Sequence, residues 1–243
     1  MNIKRIGKPM YVYDYVTSTF DKAAEFEPSH GLTVVAKRQS DGRGRLGRQW
    51  QSDEGGLYMS IYLATDASMQ SCGNVTMLCA VAVANALSHY GNCQIKWPND
   101  IVMNGKKVCG ILAKSCIQKG KADFACVGIG INANIAYFPQ ELQHASSLML
   151  ETGEKCDEEM LLGQVLQSIQ ATYELSHNEL MQSYRKLCIT LNSQVAVHYT
   201  DGNTLQGVCT DISDNGELVV TTQDKSITVN SGEVSVRGLY GYV

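Results

Sequence analysis

What this chain lacks narrows it first. Its 243 residues contain no apolar run of membrane-spanning length and no stretch built like a secretory leader, which leaves the cytoplasm as the default compartment and no membrane among its partners. Nine cysteines are present, but no two are spaced C-x-x-C. They lie singly at Cys72, Cys79, Cys93, Cys109, Cys116, Cys126, Cys156, Cys188 and Cys209, several inside apolar runs, and read as small buried thiols rather than disulfides or a zinc site. Positive charge is not in surplus: the formal net charge is −4, which speaks against non-specific nucleic-acid binding. A Gly-x-Ser-x-Gly elbow is missing, and the five histidines show no setting for a serine hydrolase. Repeats, heptads and low-complexity tracts are absent as well. With 44% hydrophobic and 18% charged residues, the chain fits a soluble globular protein with one large core and a small appendage.

Against that background one stretch stands out. Arg38 to Trp50 crowds four arginines and three glycines between two apolar runs. Gly42, Gly44 and Gly47 let the backbone bend and approach a ligand, while the forks of Arg43 and Arg45 suit a carboxylate or phosphate, and Trp50 offers a flat face to a nucleobase. The plain alternative is a mobile basic surface loop. The three glycines also spell G-x-G-x-x-G, but no helix starts on them: Leu57 to Leu63 follows instead, alternating like a strand, so a dinucleotide fold is disfavoured. No Gly-Lys-Ser/Thr follows, which excludes a P-loop. Three arginines, with Arg38 just upstream, and a single apolar residue, Leu46, predict that the segment from about Ser40 to Arg48 is mobile without ligand.

Taken in order, Tyr11 to Val16 alternates as a strand and stops at Thr17-Ser18-Thr19, with a short helix expected from about Phe20 to Phe26. Ser18 or Thr19 suits either a helix cap or a ligand contact. Thr33 to Ala36 is a second strand, delivering the arginine loop. Asn74 to Tyr90 is apolar on nearly every side, the pattern of a buried helix packed on a sheet. Next comes Ile95-Lys96-Trp97-Pro98-Asn99-Asp100-Ile101. A lysine among such residues implies an anionic partner, either Asp100 or a ligand. Asn104-Gly105 marks a hairpin, and Gly128 and Gly130 in the next strand mark places where something lies close against the backbone.

GRGRLGRQW, KWPNDI, GKKVCGIL and VGIGINAN, in this order and at these intervals, resemble the biotin protein ligases, also called biotin–acetyl-CoA-carboxylase ligases. The specific motifs cover roughly Ser18 to Asn134. The resemblance implies an α+β fold: a mixed β-sheet with helices packed on it, the biotin/lipoate ligase-like catalytic domain, in residues 1–190, and a small SH3-like β-barrel in 191–243. It implies an ATP-dependent ligase that makes biotinyl-5′-AMP with Mg²⁺ and passes the biotinyl group to a lysine of a biotin carboxyl carrier protein. Ser18, Thr19 and Gln39 would hold the ureido ring, whose N–H and carbonyl groups suit hydroxyls and a carboxamide. Arg43 and Arg45 would close over carboxylate and phosphate, with Gly42 and Gly44 between them, and Lys96 would lie between the two anions. Trp50 and Asn132 would sit near adenine and nucleotide, and Gly110 would complete the binding set. No protein-held metal is implied. Phe20 departs from the pattern, since many members have asparagine there; its backbone contact is expected to survive.

Ala136 to Thr152, with proline and no periodicity, reads as a long loop that the resemblance folds over the adenylate. Helices follow from Glu158 to Ser176, capped by Asp157, and from Asn178 to about Leu187, and about five short strands from Asn192 suit the barrel. With Ser18 so near the start, no room is expected for a DNA-binding domain, so a dedicated ligase without DNA contact is the reading. An exposed edge of the sheet can support a homodimer. A lipoate/octanoate ligase-like acyltransferase and a non-catalytic biotin-binding sensor are the alternatives.

Overall fold

The computed structural model describes residues 5–65, 72–118, 121–231 and 234–238. Its main sheet has seven strands: β1 (Met10–Val16), β2 (Thr33–Gln39), β3 (Leu57–Ala64), β4 (Cys93–Lys96), β5 (Asp100–Met103), β6 (Lys106–Gln118) and β7 (Lys121–Ile131). They lie in the order β1-β2-β3-β7-β6-β5-β4. β1 and β2 are parallel and every other pair is antiparallel, so the sheet is mixed as the motifs implied. The β5–β6 turn is the Asn104-Gly105 hairpin, both residues at positive φ (49° and 76°), as a primed turn demands.

Helix α1 (Thr19–Ala23) is shorter than expected, and Ser18 caps it, accepting from the Phe20 N–H at 3.2 Å. α2 (Cys72–Leu87) is buried on almost all sides, which explains its all-round apolar sequence: one side faces the sheet, the other the helices that follow. The stretch expected to be an unbroken loop contains a helical turn, α3 (Leu148–Thr152), capped by Ser147 and ended by Gly153 at φ 81°. α4 (Glu158–Tyr173) opens on Asp157, whose carboxylate accepts from the N–H groups of Glu159 and Met160 at 2.9 and 3.0 Å. It presents Leu161, Val165, Ile169 and Thr172 inward. α5 (His177–Leu187) starts on a capping box of Ser176 and Glu179 and buries Leu180, Met181 and Tyr184.

The C-terminal sheet is antiparallel and SH3-like: β8 (Gln194–Tyr199), β9 (Thr204–Ile212), β10 (Leu218–Thr221), β11 (Ser226–Val229) and β12 (Val234–Gly238), ordered β11-β10-β9-β8-β12. Its inward residues, among them Val197, Cys209, Leu218 and Val220, belong to one cluster with the main core. Among the described residues no helix is long and apolar enough to cross a membrane. All nine cysteines are free, and burial pushes the Cys79 and Cys93 thiols up to about 12, which keeps them protonated and inert.

One side chain in this frame is set to respond to pH. His30 Nδ1 accepts from the Ala64 N–H at 3.1 Å beside the Tyr173 ring, and its Nε2 is buried with no partner among the described residues. Burial holds the imidazole below its ordinary value of 6.5. The unfolded chain therefore binds the proton first, so stability is full above the unfolded value and falls as pH drops from about 6.5 to the folded one. Between pH 7.5 and 5 the melting temperature of the unmodified protein should drop more than that of His30→Asn, which keeps an acceptor but cannot titrate. The ring is half-buried and solvent-screened, so the gap should be no more than about 2–4 °C. Equal drops would exclude His30 as the cause.

Candidate functional site

The expected site residues converge on one face of the main sheet, in two groups. The first is a polar chain at the C-terminal ends of β1 and β2. Ser60 Oγ donates to Thr19 Oγ1 (2.8 Å), Thr19 Oγ1 and its own N–H donate to Gln39 Oε1 (3.1 and 2.8 Å), and Gln39 Nε2 donates to Ser52 Oγ (2.8 Å). Ser18, Thr19, Ser52 and Ser60 are all buried, so these groups are aligned and dry before anything binds. Gly42 closes the chain: a Cβ there would lie 2.4 Å from both Ser52 Oγ and the Trp50 carbonyl. Ser52 and Ser60 went unremarked in the sequence. The signal for Ser60 is a lone serine in the otherwise apolar and aromatic strand Leu57–Leu63.

The second group surrounds a cavity of about 740 Å³ lined by Asp41 to Gln49, the start of α2, Asn99, Ile111 to Lys114, Gly216 and Ser231. The arginine loop forms its wall. Arg45 to Gly47 makes a single 3-10 turn with Leu46 left-handed at φ 55°. Three contacts hold the loop in this structure. Arg43 pairs with Asp21 of α1 at 2.7 Å, Arg45 donates to Asn99 Oδ1 at 3.1 Å and to the carbonyls of Ser231 and Val234, and Trp50 lies on the sheet. Burial draws the Arg45 guanidinium below its usual value, opposed by the Asp100 charge.

Trp50 and Phe20 account for the glycines of β6 and β7. A Cβ on Gly110 or Gly130 would stand 2.6 or 2.4 Å from the Trp50 indole, and one on Gly128 would stand 2.3 Å from the Phe20 ring. Both rings rest directly on bare backbone. Trp50, expected to offer a face to a base, spends one side on this floor, with Lys107 Nζ 5.0 Å from the ring centroid. Its Nε1 is buried without an acceptor among the described residues. Phe20 gives its N–H to Ser18 and packs with Ala23, Val34 and Tyr62, so its role is apolar. Gly130→Ala should therefore evict the indole. The expected readout is a red-shifted tryptophan emission arising from Trp50 alone, since Trp97 is buried elsewhere, and a stability loss of about 1–3 kcal/mol. Unshifted emission would mean that the ring does not lie on Gly130.

Lys96 is buried, as its apolar neighbours foretold, and its ammonium donates to the Val236 carbonyl at 3.1 Å. Asp100, offered as its alternative partner, forms an ion pair with Lys107 at 2.6 Å. Asn132 does not face the cavity wall: its amide donates to the Ser146 carbonyl at 3.0 Å and pins the 136–147 segment, which Lys107 also clasps through backbone bonds to His144 and Ser146.

Residues 12–132 match the model described as the Biotin/lipoate A/B protein ligase family, and 190–237 the one described as the biotin protein ligase C-terminal domain. A "Bifunctional ligase/repressor BirA" of Bacillus spizizenii is 32% identical over 244 residues, spanning 95% of this chain and 75% of the relative. A "Biotin--[acetyl-CoA-carboxylase] ligase" of Mycobacterium tuberculosis is 26% identical, spanning 88% and 82%. Among solved structures, the biotin protein ligase of Aquifex aeolicus in complex with biotin and ATP superposes with a TM-score of 0.84 at 31% identity, over 95% of this chain and 99% of that one.

Proposed function

Because the chain belongs to the biotin protein ligase family, we propose that it activates biotin with ATP and transfers the biotinyl group to a lysine of a biotin carboxyl carrier protein in the cytoplasm. Residues 1–190 would be the catalytic unit and 191–243 the C-terminal barrel. The observation that carries this reading is the adjacency of a chain of buried hydroxyls and a half-buried carboxamide to a cavity walled by arginines, beside a buried lysine. A ureido ring needs the first and a carboxylate meeting a phosphate needs the second.

In the first step a carboxylate oxygen attacks the α-phosphorus and pyrophosphate leaves. Both reactants are anions, so the barrier is chiefly charge repulsion and alignment. Arg43, Arg45 and Lys96 supply positive charge, with Ser18, Thr19 and Gln39 holding the ring, Gly42 and Gly44 letting the loop close, and Trp50, Gly110 and Asn132 shaping the nucleotide side. The orphaned indole N–H of Trp50 supports that placement, since a bound acceptor would complete it. In the second step the carrier's amine attacks the acyl carbon of the mixed anhydride and AMP leaves.

Mg²⁺ would arrive with the nucleotide. Among the described residues no three His, Cys, Asp or Glu side chains gather to hold a metal, and Asp100 is engaged by Lys107. The described residues offer no cage of their own, and Mg²⁺ is commonly carried by substrate phosphates. The test is pyrophosphate release from ATP with biotin, lipoate and octanoate in parallel. Release with biotin alone is expected; release driven by lipoate or octanoate supports the acyltransferase alternative, and binding without release the sensor.

A further inference from the structure

The Lys96-Trp97-Pro98-Asn99 turn joins two strands of the main sheet, yet much of what holds it comes from the chain beyond residue 183. The Trp97 N–H donates to Thr190 Oγ1 at 3.0 Å and its indole Nε1 to the Gly216 carbonyl at 2.9 Å. Tyr184 donates to the Pro98 carbonyl at 3.1 Å, and the Ile189 N–H to the Ile95 carbonyl at 2.9 Å. Lys96 reaches Val236, and Arg45 reaches Ser231 and Val234. Two cations from distant parts of the sequence thus find acceptors on one short segment of the C-terminal sheet.

The kind of acceptor matters. Arg43 and Lys107 are paired with carboxylates, Asp21 and Asp100. Arg45 donates instead to neutral oxygens, those of Asn99, Ser231 and Val234. A carbonyl fixes the direction of a cation without cancelling its charge, which stays available to an anion in the cavity. The device works only if that segment sits in register with the turn.

We infer that β12 and Ser231 are the positioning element for Lys96 and Arg45, and that Trp97 is the positioning residue that sets their register through Gly216. The inference rests on the functional reading above. Trp97 is 2% exposed, so it acts through its neighbours. Gly216 sits at φ 79° in the hairpin between β9 and β10, wedged so tightly that a Cβ would stand 2.8 Å from the Met77 sulfur. From outside, Arg185 grips the same hairpin, at 3.1 Å from Asp211, 2.5 Å from the Ile212 carbonyl and 3.3 Å from Asp214. Any slide of the hairpin past Trp97 is carried to β12 by the sheet they share.

The experiment measures biotin affinity, pyrophosphate release at saturating biotin and ATP, and thermal unfolding in Trp97→Phe, which loses the indole donor, and in Arg185→Met, which removes a partly exposed grip on the hairpin and keeps an apolar stem of similar length. Trp97→Phe should release pyrophosphate about 10- to 100-fold more slowly, the scale on which small misplacements cost rate, with biotin affinity within about twofold of the unmodified protein. Arg185→Met should show the same split at about two- to fivefold, as a partly exposed ion pair permits. An unmodified rate in either folded variant overturns the inference, as does biotin affinity falling in step with rate. If Trp97→Phe does not fold, Arg185→Met decides alone. An unmodified protein that releases no pyrophosphate with biotin sinks the functional reading instead.

Discussion

Replacing Lys96 by alanine is expected to slow pyrophosphate release with biotin and ATP by about 10²–10³, the usual consequence of deleting one preorganised charge-stabilising donor. Biotin affinity should change far less, because the polar chain from Ser60 through Thr19 and Gln39 to Ser52 does not include the lysine. The structure sharpens this expectation. Asp100 has Lys107 at 2.6 Å, so losing Lys96 does not strip it of a cation, and the damage should be kinetic. Rapid-quench measurement of the first step, with calorimetry for biotin, separates the two. A variant that adenylates normally and merely melts earlier would make Lys96 a structural residue and remove it from the chemistry.

Arg45→Gly should have the second large effect, and of a different kind. The first step should still run while the adenylate escapes about ten- to a hundredfold faster, as loss of a charge-assisted contact worth ~1.5–3 kcal/mol predicts. Free adenylate acylates any amine it meets, so an unrelated bystander protein incubated with ATP, biotin and the variant should become biotinylated. Arg45 is placed for such a latch: it lines the cavity and reaches across it to Asn99, Ser231 and Val234. Bystander labelling no stronger than with the unmodified protein, despite measurable adenylate, would show that Arg45 does not retain the intermediate.

Local sequence carried the strands, the Asn104-Gly105 turn, the Asp157 cap and the buried lysine, because each depends on neighbours in the chain. Glycines 128 and 130 signalled a close approach, but not of what: Phe20 and Trp50 come from 108 and 80 residues away, and no periodicity encodes such a contact. The same holds for the acceptors of Lys96 and Arg45, 140 and 186 residues distant. The Lys107 partner of Asp100 is not legible either, since it depends on the β5–β6 pairing, which carries a register shift between Ile101 and Val102. Helix α3 was overlooked because five residues are too few to display a helical period.

The apolar cluster that passes from α2 and the main sheet into Val197, Cys209, Leu218 and Val220 gives the two sheets one continuous buried core. A truncation ending before Gln194 would uncover part of that core and take away the Gly216 acceptor of Trp97, so the small sheet is a wall of the larger one, not a detachable module. Changes of amino acid in β8 to β11 would then be felt through the shared interior as well as locally, while a relative that exchanged this sheet for another would have to replace a share of its interior at the same time.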